Sequence, residues 1–159
     1  MNMSNMREAF NRAGYQTDKV TKKQDVQSKA KKVKIEDNYT KKAENVILNL
    51  KRALGQDYYK FTTSKIRNIL TLVNEIYNDV IADHSKNLNK QMQDRIEYLK
   101  VRLIYESGRE PKIVKPFVET SKLIEIIDGI GDNREDFIKF ARYMEALVAY
   151  HRYYDGKEY

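Results

Sequence analysis

From Tyr39 to Tyr154 the large apolar residues return every three or four positions, the period of an α-helix. Ala43, Val46, Ile47, Leu50 and Leu54 share one face of a first helix, and Gly55 stands where a terminating glycine belongs. Phe61-Thr62-Thr63-Ser64 opens a second helix, with Thr62 as N-cap and Phe61 spaced to staple onto Ile66. Its stripe is Ile66, Ile69, Leu70, Val73, Ile76, Tyr77 and Val80, and a polar break follows from Asp83 to Asn87. A third helix is expected over residues 88–106 on Leu88, Met92, Ile96, Leu99 and Leu103, ended by Ser107-Gly108 and kept ended by Pro111. Residues 113–130 are helical but interrupted: Pro116 suits only a first turn, and Thr120-Ser121 can begin a new piece. Gly129 and Gly131 are expected to stop this region. Asp132-Asn133-Arg134-Glu135 resembles a capping box and opens a last helix over 133–154, with Phe137, Phe140, Ala141, Met144, Val148 and His151 inward. No period-two strand and no internal repeat interrupts the pattern. The expectation is an all-α fold, a compact bundle of about five helices.

The chain has 159 residues, enough for one domain with a sizeable core. It has no cysteine, which excludes disulfides, thiol chemistry and cysteine-ligated metals. Its apolar runs fall far short of the ~20 residues of a membrane span, and no apolar signal core follows Met1, so it reads as soluble, intracellular and cytoplasmic. The net charge of +7 is uneven. Residues 1–38 carry nine basic and five acidic side chains; the remainder carries 21 and 18. From Lys19 to Lys34 the chain is almost wholly polar and cannot bury enough surface to offset its ordering entropy. Residues 1–37 are therefore read as a flexible basic arm, 38–156 as the helical domain and 157–159 as a C-terminal tail.

Catalytic constellations are not found. His84 lies in a polar turn and His151 near the end of the last helix, neither at metal-ligand spacing from another ligand. Gly129-Ile130-Gly131 lacks the strand and third glycine of a dinucleotide loop. Asp132, Glu135 and Asp136 sit where a helix dipole favours carboxylates anyway. The reading is a protein that is not an enzyme and takes no metal or cofactor.

Cations interleaved with aromatics stand out instead. Arg95, Tyr98, Arg102 and Tyr105 fall within about 80° of arc on the third helix, beside its core stripe. Arg forks a phosphate, and a tyrosine ring stacks on a base or donates through its hydroxyl. The same residues could equally flank a core, with arginine stems packed along it. Lys139, Tyr143, Ala146 and Tyr150 lie opposite the core stripe of the last helix and imply a neighbour on that side too, from the same domain or another subunit. Lys65 and Arg67 occupy the first turn of the second helix, where cations oppose the dipole; a free N-terminus there would suit a phosphate.

Three segments then carry a family resemblance: Thr62-Thr63-Ser64-Lys65-Ile66-Arg67-Asn68-Ile69-Leu70; Arg95-Ile96-Glu97-Tyr98-Leu99-Lys100-Val101-Arg102 with Tyr105-Glu106-Ser107-Gly108-Arg109-Glu110; and Phe137 through His151. In this order they resemble the small subunit of type III-A CRISPR–Cas effector complexes, over residues 38–156. The resemblance implies an all-helical, non-catalytic protein of antiviral defence. Copies of it would stack as a short filament in a ribonucleoprotein, beside the backbone and large subunits, against guide RNA and target RNA. Family basic positions would map onto Lys65, Arg67, Arg95, Arg102, Arg109, Lys139 and Arg142, while Lys100 projects away from the Arg95–Arg102 stripe; Tyr98 and Tyr143, read from the helical faces above, complete the RNA-binding candidates. The family pattern begins near Asn38 and gives the arm no support. A stand-alone helical nucleic-acid-binding regulator is the alternative, although a last helix opening on Asp132, Glu135 and Asp136 is a poor tip for a major groove.

Overall fold

The computed structural model describes residues 32–154 and 156–159. The expected arm therefore lies outside the described residues from 1 to 31. Among the described residues six α-helices follow one another: α1 (Tyr39–Leu54), α2 (Thr63–Ala82), α3 (Lys90–Arg109), α4 (Val114–Ser121), α5 (Leu123–Ile130) and α6 (Arg134–Tyr153). A short 3-10 segment, Gly55–Lys60, joins α1 to α2. Among the described residues there is no strand, only a single antiparallel bridge between Asn87 and Asn133 that ties the α2–α3 loop to the start of α6. The all-α expectation holds. The count among the described residues is six because residues 113–130 divide at Lys122, whose backbone is left-handed at φ 58°, two residues later than Thr120.

α6 is the central helix, packed against α1, α2 and α5, while α4 bridges α1 and α3. Phe137, Phe140, Tyr143, Met144, Leu147 and His151 are all fully buried along it. Each large side chain so buried stabilises the fold by about 1.5–3 kcal/mol through the apolar area it removes from water. Caps set the helix bounds. Asn89 accepts from the Met92 amide at the start of α3, and Asn133 accepts from the Asp136 amide at the start of α6. At the other end of α2, the Arg134 guanidinium donates to the Val80 carbonyl at 3.0 Å.

Two expected stops behave differently. Ser107 and Gly108 lie inside α3, which runs to Arg109 because nothing there requires a special backbone. Gly129 lies inside α5, and its value is closeness: a Cβ there would stand 3.1 Å from the Val33 carbonyl oxygen. Residues 32–38 run against the bundle at this point and bury Ile35. The C-terminal segment is also packed. The Thr63 and Ser64 amides donate to the Lys157 and Glu158 carbonyls at 2.9 and 3.1 Å. Thr62 is in the N-cap position, yet its hydroxyl meets the Ser64 hydroxyl and makes no cap bond.

Candidate nucleic-acid interface

α2 and α3 run antiparallel, and their shared outer face gathers five of the sequence-predicted residues. Arg95, Arg102 and Arg109 recur every seven residues along α3, a spacing that drifts by only about 20° per step. Tyr98 and Tyr105 lie beside them, 51% and 57% exposed. Between α2 and α3 runs a shallow groove lined by Asn68, Thr71, Leu72, Tyr98 and Arg102.

Carboxylates hold the cations in place. Arg95 pairs with Asp79 and lies 3.9 Å from Glu75, both on α2. Lys65, from the first turn of α2, reaches Glu110 at 2.8 Å, and its ammonium group holds the Glu110 carboxyl below the usual glutamate range. Glu106 is the residue that sequence reading passed over. It is 4% exposed, with Arg102 3.5 Å from one carboxylate oxygen and Arg109 3.1 Å from the other. Neither contact aligns as a hydrogen bond, so the pairing is Coulombic. The Arg102 guanidinium also stands 5.6 Å from the centre of the Tyr105 ring. Glu106 thus fixes two of the three arginines from below while their outer edges face solvent. The signal for it was available: a carboxylate on the stripe of Leu99 and Leu103, with Arg at i−4 and i+3, needs partners to be buried.

The remaining candidates are elsewhere. Arg67 turns from the α2–α3 groove to Glu158, which lies 3.7 Å from Arg152. The N-terminus of α2 is not open to a phosphate, because the backbone of residues 157–158 already accepts its first amides. Lys139 pairs with Asp37 at 2.9 Å, and Arg142, one turn on, is exposed with no partner among the described residues. These two form a separate patch on α6. Lys100 joins Asp128 and Glu97, on the flank of α3 facing α5.

Tyr143 is a correction. It is 0% exposed, its hydroxyl donates to the Ser121 carbonyl at 3.1 Å, and burial pushes the phenol far up from its ordinary pKa. The neighbour implied by the second face of α6 is the same domain, at the α4–α5 junction, so this ring cannot meet RNA in the folded chain. His151 is likewise interior. Its Nδ1 lies 2.8 Å from the Tyr58 hydroxyl, and burial pushes the imidazole down to about 4, so it is neutral at physiological pH. His84 is exposed in the α2–α3 loop. Among the described residues no group of three or more potential ligands is placed to hold a metal, and no helix is long and apolar enough to cross a membrane. What the α2–α3 face can do chemically is meet an extended anion with aromatic or sugar surfaces along it.

Comparison with known proteins agrees on one family. The family profile described as Csm2 Type III-A matches residues 41–157. A protein of Mycobacterium tuberculosis named CRISPR system Cms protein Csm2 is 40% identical over 124 residues, 78% of this chain and 97% of its own length. Its namesake from Streptococcus thermophilus is 38% identical over 77% of this chain and 96% of its own length. That from Enterococcus italicus is 40% identical over 58% of this chain and 67% of its own.

Proposed function

The chain belongs to the Csm2 family of type III-A CRISPR systems, and from that premise we propose that it is the non-catalytic small subunit of an RNA-guided effector complex. The observation that carries the reading is the α2–α3 face, where Lys65, Arg95, Tyr98, Arg102 and Arg109 are brought together. Guanidinium forks and an ammonium group recognise phosphates whatever the base, and a tyrosine ring stacks on any base. The face therefore grips a strand without reading it, as a subunit must when guide pairing supplies the sequence. Lys139 and Arg142 provide a second, weaker contact on α6.

The modest charge of the domain fits this role. With 21 basic and 18 acidic side chains after residue 38, one copy binds weakly, and repetition along the strand multiplies the effect. A strip of α3 beside the cationic face, Val101 and Ile104, is exposed at 56% and 54% and supports packing of copies into a short filament beside the backbone and large subunits. Strand cleavage belongs to other subunits. The candidate groups here are guanidinium and ammonium groups and tyrosine hydroxyls, all protonated at neutral pH in their ordinary state and so not suited to take a proton. The complex would work in the cytoplasm, where transcripts and guides are.

The test is purification of the tagged chain from its native cell. The expected result is a short RNA with a common repeat-derived end, recovered with several other subunits. Recovery of the chain alone, or on duplex DNA of one sequence, would overturn the reading in favour of a stand-alone regulator.

A further inference from the structure

A cleft of about 660 Å³ opens where the 3-10 segment, the start of α2, the end of α3 and the C-terminal segment converge. Tyr59, Lys60, Lys65, Arg109 and Lys157 line it, and among the described residues no aspartate or glutamate side chain does. The Tyr59 ring is half exposed. Two ammonium groups stand over it, Lys60 at 5.7 Å and Lys157 at 5.4 Å from its centre. Lys157 has no carboxylate partner among the described residues, and the partner of Lys60, Asp57, is itself exposed. Lys65 and Arg109 are instead tethered from behind by Glu110 and Glu106. The cleft thus presents two fixed and two swinging cations around one accessible aromatic face. Its anion affinity does not rest on the α2 N-terminus, whose first amides are already taken.

We propose that this cleft receives one nucleotide of single-stranded RNA, its base stacked on Tyr59 and its phosphate met by Lys157 and Lys65. The inference rests on the α2–α3 face carrying the strand, since Arg109 belongs to both and makes the two surfaces continuous. A bare phosphate or an acidic peptide would use the cations and leave the ring idle; a nucleotide uses both. The ammonium groups now over Tyr59 occupy the place a base would take. Their stems are flexible, so an entering base displaces them from an exposed cation–π contact toward the phosphate, where they make charge-assisted hydrogen bonds. Such stacking tolerates any base.

The experiment uses the full chain and a short fluorescent oligouridylate, followed by anisotropy across a salt series, with thiouridine photocrosslinking mapped by mass spectrometry. Tyr59→Ala should weaken binding about ten-fold, while Tyr59→Phe, which keeps the ring, binds as wild type. Lys157→Gln should lower the log–log salt slope by roughly 0.7. The crosslink should fall on Tyr59. Melting temperatures should match wild type, since the Tyr59 and Lys157 side chains are not part of the core. Binding by Tyr59→Ala and Lys157→Gln equal to wild type, while Arg95→Ala/Arg102→Ala binds weakly, would overturn the cleft and leave the α2–α3 face standing. Unchanged binding in all of these variants would overturn both. Inorganic phosphate that competes equally with wild type and Tyr59→Ala, together with no crosslink at Tyr59, would reduce the cleft to a simple anion site and also overturn the proposal.

Discussion

α3 and α6 are both 20-residue helices in which lysine and arginine alternate with tyrosine, yet their tyrosines have opposite fates. Tyr98 of α3 is half in water; Tyr143 of α6 is sealed against the α4–α5 junction. The cations differ as well. On α3 they are held by carboxylates of α2 and by Glu106 beneath them, whereas Arg142 on α6 has no partner among the described residues. The difference arises from neighbours. α6 is packed by α1, α2 and α5, so a side chain opposite its core stripe finds another helix. α3 leaves an arc uncovered outside α2, and that arc keeps its rings and guanidinium groups exposed. A basic and aromatic pattern along one helix therefore identifies a binding face only when the packing around that helix is known.

The sharpest break of this comparison is a pair of alanine substitutions. Tyr143→Ala should cost about 3–5 kcal/mol of stability in urea or thermal unfolding, because it empties a buried site. It should change RNA binding only through that destabilisation. Tyr98→Ala should cost no more than about 1 kcal/mol of stability and weaken RNA binding by about 1–3 kcal/mol. Equal destabilisation by the two would erase the distinction between the helices.

Acid separates the interior of α6 from the surface of α3. The His151 pKa is depressed from 6.5 to about 4, so the unfolded chain takes up a proton that the folded chain refuses. This contribution to stability is complete above pH 6.5 and falls away as the pH drops from there toward 4, by about 3 kcal/mol at most. Glu110, held low by Lys65, stabilises the fold above its ordinary 4.5, and that contribution is lost only as the pH falls below it. A melting temperature that declines between pH 6.5 and 5 in the wild type, and does so less in His151→Phe, checks the assignment. Identical pH profiles would sink it.

Glu106 joins the interior of α3 to its surface. Glu106→Ala removes the charge between Arg102 and Arg109 and should cost about 1–3 kcal/mol of stability. RNA binding should weaken even where the variant is fully folded, since both guanidinium groups lose the anchor that positions them. Binding that is unchanged per folded molecule would make Glu106 a purely structural group.

The sequence carried much of this and stopped at identifiable points. α1, α2 and α6 were legible because their apolar stripes are long and end in recognisable residues: Gly55 after α1, Asn133 before α6. The interruption of residues 113–130 was legible but its position was not, because a lysine in left-handed backbone at 122 leaves no mark where glycine or asparagine would have. The 3-10 segment carries no 3.6 period, so buried Tyr58 and exposed Tyr59 looked alike. The cap of α2 by Lys157 and Glu158 spans more than ninety positions, with the Thr63 hydroxyl 94 residues from its acceptor, and no local rule finds it. Among site residues, the grouping of Arg95, Tyr98 and Arg102 follows from helical geometry alone. Adding Lys65, separating Arg67 and withdrawing Tyr143 all required the packing.

The most telling change in binding should come with only a modest change in stability. In Arg95→Ala/Arg102→Ala the Arg95–Asp79 pair is a surface pair, whereas loss of Arg102 leaves the buried Glu106 with Arg109 alone, so stability should fall by about 1–3 kcal/mol. The direct measurement is the salt dependence of RNA binding by this variant beside wild type. The α2–α3 interface predicts weaker binding, with a log–log salt slope shallower by roughly 0.7 for each phosphate that is no longer neutralised. A folded variant that holds RNA as tightly as wild type at every salt concentration would contradict it.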